Sequence, residues 1–208
     1  MISVLITNPK GGCGKTTVAT HLAAAFATTG QETLLAETDP QGSSLSWLEA
    51  RPPGVAHVEG ANWVKEPGKI SKRISRVVID SAAGTRLGTL RDLIRLADII
   101  VVPILPSAFD QNSTKAFLDK LRELKPIRKN RKPFALVRNR VRRGSRAASR
   151  LDDFMMEMDT AEVGRLQDRA LYNEVAWQGL TIFDLAGRQA VEMQQDWIPL
   201  IRFIESES

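Results

Sequence analysis

Read from its amino end, the chain alternates short runs of β-branched and leucine residues with longer segments of helical composition. Ile2 to Thr7, Thr33 to Glu37, Val77 to Asp80, Ile99 to Pro103 and Phe134 to Asn139 form the short runs. None shows the period-two alternation of a half-solvated strand. They are apolar on both faces, as parallel strands covered by helices above and below must be. Lys15 to Thr28, Leu87 to Ala97, Asn112 to Leu124 and Ala147 to Met158 have helical length and composition. Arg188 to Ile204 reads as a final helix that Pro199 should kink or break. Pro52-Pro53-Gly54 and Pro67-Gly68 bracket a less regular stretch, Val55 to Val64, read as one more strand and a loop. With no Ser/Gly-rich linker and no repeat, residues 1–208 are expected to form one domain. The pattern predicts a doubly wound α/β fold, a mainly parallel sheet with helices on both faces, whose ligands bind beyond the carboxyl ends of the strands.

Composition narrows the possibilities further. The 208 residues, 43% hydrophobic and 25% charged, suit an ordinary globular domain with a proper core. A single cysteine, Cys13, excludes a disulfide framework and a four-thiolate metal site. The most apolar stretch, Ala97 to Leu105, is far short of the roughly 18 to 20 residues that span a bilayer. Met1 leads directly into the first strand without a basic leader, so the expected location is the cytoplasm. The net charge of +5 hides a block structure. Residues 1–119 carry 12 basic and 11 acidic side chains, residues 120–150 carry 13 and 1, and residues 151–208 carry 4 and 12. A stretch as basic as 120–150 attracts polyanions, nucleic acid first among them.

The most specific signal follows the first strand: Asn8-Pro9-Lys10-Gly11-Gly12-Cys13-Gly14-Lys15-Thr16-Thr17, leading into a helix. Glycines let consecutive backbone N–H groups curl around phosphate oxygens, and the helix N-terminus adds partial positive charge. Lys15 neutralises the β/γ oxygens and Thr16 can ligate Mg²⁺. Pro9 replaces the first glycine of the ordinary phosphate-loop pattern, and a second lysine, Lys10, precedes Lys15 by five residues. This loop resembles the deviant Walker A motif of the ParA/MinD family of P-loop ATPases. The resemblance implies an ATP-sandwich homodimer in which Lys10 reaches the partner's nucleotide; a surface lysine without that role is the alternative.

Glu37-Thr38-Asp39-Pro40-Gln41 is similar to the family's D-x-D-P-Q segment, with Asp39 in the place of the Asp used for hydrolysis. An acid there can orient the attacking water; otherwise Asp39 is a turn residue before Pro40. Glu37 replaces the first Asp and sets its carboxylate about one methylene further out. Arg76 to Asp80, followed by Ser81-Ala82-Ala83-Gly84, reads as a Walker B strand and switch loop, with Asp80 holding Mg²⁺ through water. Ile100 to Asp110 matches the family's strand and P-x-x-P-S segment, which places Pro106 at the nucleotide. Ala135 to Val141 matches its base-reading strand end. Asn139, with Arg140 beside it, is then the candidate for selecting adenine, or else a strand-end cap.

Composition also sorts the family's branches. One cysteine cannot supply the cluster of an iron-protein-like reductase. Tyr172, the only tyrosine, makes no tyrosine-rich tail, and a C-terminal segment with Pro199 and terminal acids is no basic membrane anchor. What remains resembles the short ParA branch of partition and cargo-positioning switches. That branch implies ATP-dependent dimerisation, nonspecific double-stranded DNA binding, a nucleoid-associated location, and a ParB-like or cargo adaptor that stimulates hydrolysis. Arg142, Arg143, Arg146 and Arg150 are the leading DNA contacts, and Lys125, Arg128, Lys129, Arg131 and Lys132 form a second cluster. A solvated basic face is the plainer reading of both. The competing function is a small-molecule ATP-dependent enzyme of the same fold, similar to dethiobiotin synthetase.

Overall fold

The computed structural model describes residues 1–129, 131–158 and 161–207. Its seven strands are β1 (Ile2–Ile6), β2 (Thr33–Glu37), β3 (Glu59–Asn62), β4 (Arg76–Asp80), β5 (Ile99–Ile104), β6 (Phe134–Val141) and β7 (Glu162–Gln167). They form one sheet in the order β3-β2-β4-β1-β5-β6-β7, every neighbouring pair parallel. The helices are α1 (Lys15–Thr28), α2 (Ser43–Glu49), α3 (Leu87–Leu96), α4 (Ala108–Glu123), α5 (Lys125–Arg128), α6 (Arg146–Glu157), α7 (Leu171–Ala176), α8 (Arg188–Gln195) and α9 (Ile198–Ser206). A 3₁₀ turn spans Ile182–Asp184.

Apolar runs without alternation become strands buried on both faces, and the two faces feed separate cores. Leu5, Ile79, Ile100 and Leu136 pack on the face shared with α3, α4 and α6. Their neighbours Val4, Ile6, Val78 and Val101 pack on the face shared with α1, α8 and α9. Because all strands are parallel, the carboxyl ends of β1, β2, β4, β5 and β6 lie along one edge. Register places Ile6 beside Asp80, and Asp80 beside Glu37.

Where the structure departs from the sequence pattern, the cause is local. The predicted final helix is two: α9 begins afresh with Pro199 in its first turn, where a missing N–H costs no hydrogen bond. β3 forms only over Glu59–Asn62, within the stretch expected to hold a strand. β7 leaves little signal in the sequence because only Val163, Gly164 and Leu166 of its six residues are buried, as suits an edge strand. α2, short and serine-rich, has no apolar stripe of its own.

The C-terminal segment is locked onto the phosphate-loop helix. Arg51 and Asp184 form a two-pronged buried ion pair at 2.6 and 2.9 Å, with Arg51 also over the Trp47 ring. His21 of α1 stacks on Trp197 at 5.1 Å and meets Tyr172 edge-on, while the Trp197 indole N–H donates to the Tyr172 hydroxyl. His21 Nδ1 lies 2.9 Å from the Thr17 carbonyl, which assigns the Nδ1–H tautomer. Burial pushes its imidazole down to about 4, against the opposing pull of the Thr17 carbonyl and Asp184.

Below its ordinary value of 6.5 the unfolded chain takes up a proton at His21 that the fold refuses. The stability this ring confers is therefore complete above that pH and falls as pH drops toward about 4, by about 3 kcal/mol in all. Between pH 7 and pH 5, chemical denaturation should show the parent losing about 2 kcal/mol relative to His21→Gln, while Asp80, raised to about 7, shifts both proteins alike in the opposite direction. An equal pH dependence in the two proteins would remove His21 as the source of that loss.

Candidate nucleotide site

The phosphate loop is held by side chains at its two ends. Asn8, buried, donates to the Pro103 carbonyl at 2.8 Å and the Thr114 hydroxyl at 3.2 Å, and its Oδ1 accepts from the Lys10 N–H at 2.9 Å. Gly12 and Gly14 take left-handed backbone angles, φ 75 and 91. A Cβ at Gly14 would fall 2.0 Å from the Asn139 amide and sit on a strained backbone, so a larger residue there would displace Asn139. Lys15 is buried with its Nζ 3.0 Å from the Lys10 carbonyl, bent back over the loop, while Lys10 itself is exposed. Cys13 is buried, and its thiol donates to the same carbonyl at 3.3 Å. Gly11 is exposed, and Thr16 and Thr17 are half-buried at the start of α1.

The loop after β4 is stitched to this frame. Gly84 N–H donates to the Pro9 carbonyl, Ser81 N–H to Ile6, and Ala82 N–H to the Thr38 hydroxyl, which itself donates to the Asp80 carbonyl. Three strand-end loops thus form one hydrogen-bonded unit, and Thr38 is its unforeseen link.

The carboxylates divide into distinct environments. Asp80 is buried, its Oδ1 has no hydrogen-bond partner among the described residues, and the nearby Thr16 side chain favours its charged form. Burial first, and the Glu37 charge second, push its carboxyl up to about 7, against the pull of Thr16 and Lys15. A desolvated carboxylate oxygen without a partner beside a threonine hydroxyl is the donor set a hard divalent cation accepts when it keeps most of its waters. The residues therefore fit Mg²⁺. Asp39 is half-buried, and one of its oxygens accepts from the Gln41 N–H at 3.0 Å. That is the turn role the sequence also allowed, and it occupies one of its two oxygens. Glu37 is fully buried and accepts from the Asp39 N–H and from the N–H and hydroxyl of Ser44, while its charge acts on the Asp80 carboxyl beside it in register.

The base-reading candidates are dispersed. Asn139 is buried against the loop, its Nδ2 donating to the Cys13 carbonyl at 2.9 Å and its Oδ1 accepting from the Arg140 N–H. It clamps the phosphate loop, with one amide hydrogen left over. Arg140 adopts a left-handed backbone angle, φ 53, unusual for a residue with a Cβ, and its exposed side chain lies 3.4 Å from Asp168. Pro106 is half-buried after β5. None of these three lines the cavity of about 740 Å³ that opens beside the first turn of α1, whose walls include Thr16, Thr17, Gln41, Trp47, Tyr172 and Trp177.

The basic block is not uniformly available. Arg138 is buried between Asp152 and Glu162, and Lys132 donates to the Ala97 carbonyl. Arg142 is exposed but paired with Asp168 at 2.8 Å, and Arg143 is exposed with Asp196 at 3.9 Å. Arg146 and Arg150, on α6, are exposed with no ion pair among the described residues. The two clusters also sit at opposite edges. Arg142 to Arg150 follow β6 and share the edge of the phosphate loop, whereas Lys125 to Lys132 precede β6 at the other edge. Asp168, which bridges Arg140 and Arg142, carried no sequence signal because its partners are 28 and 26 residues away.

Comparison with known proteins gives the same frame. The "Maintenance of carboxysome distribution protein A" of Halothiobacillus neapolitanus is 26% identical over 200 residues, covering 89% of this chain and 88% of that protein. Among solved structures, the MinD cell division protein of Aquifex aeolicus matches with a TM-score of 0.77 at 17% identity, over 100% of this chain and 98% of that one. An ATP complex of a substituted McdA from Cyanothece matches with a TM-score of 0.76 at 15% identity, over 100% and 96%. At those identities the two structures speak for the fold alone. A family model described as the CobQ/CobB/MinD/ParA nucleotide binding domain matches residues 4–178, the span that holds the phosphate loop, the Asp80 strand and the Asn139 clamp. The chain belongs to that family.

Proposed function

We propose that this protein is an ATP-dependent dimerising switch that holds nonspecific DNA and positions a cargo, releasing it when an adaptor protein stimulates hydrolysis. The observation that carries this reading is the exposed Lys10 on a phosphate loop whose own lysine, Lys15, is buried. A second lysine left at the surface has no intramolecular phosphate to neutralise, and a nucleotide facing it from another subunit supplies one. The relative aligned over most of both chains is a carboxysome-distribution protein, which favours a protein cargo over a replicon.

In this reading, backbone N–H groups of Gly11 to Thr16 cradle the phosphates and Lys15 neutralises the β/γ oxygens. Thr16 and Asp80 hold Mg²⁺, which when bound neutralises charge on the phosphates. Asp39 orients a water for attack on the γ-phosphorus, yielding ADP and phosphate. Lys10 of each subunit reaches the nucleotide of the other. Arg142, Arg143, Arg146 and Arg150 contact DNA phosphates, and their place on the nucleotide edge lets dimerisation assemble them into a wider basic surface.

Lys10→Ala should abolish ATP-dependent dimerisation by light scattering while leaving a folded, nucleotide-binding monomer; unaltered dimers would contradict the trans role and favour a single-subunit ligase. Asp39→Ala should cut turnover roughly a hundredfold or more and trap an ATP-bound, DNA-holding dimer. Normal turnover in that variant would remove Asp39 from the mechanism. Replacing Arg146 and Arg150 together by alanine should reduce the slope of log affinity against log salt by about two per subunit, hence about four for the DNA-bound dimer. An unchanged slope would shift DNA to the opposite edge.

A further inference from the structure

Glu37 stands where the sequence pattern of the family has aspartate, and the extra methylene has a use visible in its contacts. One carboxylate oxygen, Oε1, accepts from the Asp39 N–H at 2.9 Å. The other, Oε2, accepts from the Ser44 N–H at 2.8 Å and the Ser44 hydroxyl at 2.6 Å. A single side chain therefore ties both ends of the segment from Asp39 to Ser44. The side chain is fully buried, so no water competes for these bonds.

The anchor itself cannot shift. Glu37 is the last residue of β2, in register with Asp80 on one side and Asn62 on the other, and its carbonyl accepts from the Trp63 N–H at 2.8 Å. The other bonds of the segment it holds are local: the Gly42 N–H donates to the Asp39 carbonyl at 3.0 Å and the Ser46 N–H to the Gly42 carbonyl at 2.9 Å. Gly42, the residue capping α2, has φ 66 and no side chain to satisfy the helix's first N–H groups, so Glu37 does so from the neighbouring strand. Within the clamped segment, Asp39 is fixed by its own N–H and by its bond to the Gln41 N–H.

We propose that Glu37 is a positioning residue: it sets the place of Asp39 relative to the phosphate loop by clamping the loop from residue 39 to residue 44. It does not serve as a second acid at the metal. The inference rests on the hydrolytic role of Asp39 proposed above. An aspartate at 37 is one methylene too short to reach both Asp39 and Ser44 from the same backbone position. A glutamine replaces one acceptor by an NH₂ group, which must face an N–H or O–H donor.

The test measures Mg²⁺-ATP turnover together with amide hydrogen exchange at Asp39 and Ser44 by NMR, in the full chain and in Glu37→Asp, Glu37→Gln, Ser44→Ala and the Glu37→Gln/Ser44→Ala double variant. The expected result is a kcat lower by roughly tenfold or more in both Glu37 variants, with the KM for ATP and the Mg²⁺ dependence within about twofold of the parent. Ser44→Ala, which loses one of the three bonds and leaves the acids in place, should lower kcat by a few-fold. The double variant should be no slower than Glu37→Gln alone, because both act through one clamp. Exchange at the two amides should accelerate in step with the loss of kcat. Parental turnover in Glu37→Gln would overturn the proposal, as would an altered Mg²⁺ requirement with unchanged exchange, which would place Glu37 at the metal. If the parent protein itself fails to hydrolyse ATP, the hydrolytic reading fails, and the exchange rates still decide whether the clamp exists.

Discussion

A parallel sheet brings the ends of its strands to one edge, and here that edge gathers carboxylates away from water. Asp80 and Glu37 are neighbours in register, both buried, with Asp39 two residues beyond Glu37. Burying negative charge at this density is costly unless each group finds a donor or a cation. Glu37 finds three donors at Asp39 and Ser44, whereas among the described residues Asp80 keeps one oxygen without a partner and is pushed up to about 7. The fold thus carries a local deficit of positive charge beside a loop built for phosphates. In the proposed function, magnesium nucleotide supplies both the missing cation and the anion for the loop.

In the proposed switch, the same edge links the phosphate loop to the exposed arginines. Asn139 clamps the phosphate loop through Cys13, and Arg140, next in the chain, shares Asp168 with Arg142. From Arg142 the chain turns into α6, where Arg146 and Arg150 stand exposed. The loop and the basic surface are therefore a few residues apart along one strand end. At the back, the His21, Tyr172 and Trp197 stack and the Arg51–Asp184 pair fix the C-terminal segment to α1 and α2, which anchors the P-loop helix on the side away from the strand-end loops.

Much of this was legible in the sequence. Strands buried on both faces are uniformly apolar, so Thr33–Glu37 and the helix Lys15–Thr28 were readable to the residue. The phosphate loop was legible because its chemistry lies in one contiguous run. Roles that depend on a distant partner were not: the Asn139 bond to Cys13 spans 126 residues, the Arg51–Asp184 pair 133, and the withdrawal of Arg138 from the basic block depends on Glu162. Glu37 is the intermediate case. Its identity was visible as a departure from pattern, but its use depends on Ser44 in α2, a helix too short to leave a periodic signal.

Sedimentation of the parent protein on random-sequence duplex DNA, with ATP, with ADP and without nucleotide, at low and at physiological salt, addresses the central claim most directly. The account predicts binding that requires ATP and weakens steeply with salt, as phosphate contacts by exposed arginines demand. Binding that is equal in all three states, or absent from all of them, would contradict it and leave the basic edge as a solvated surface.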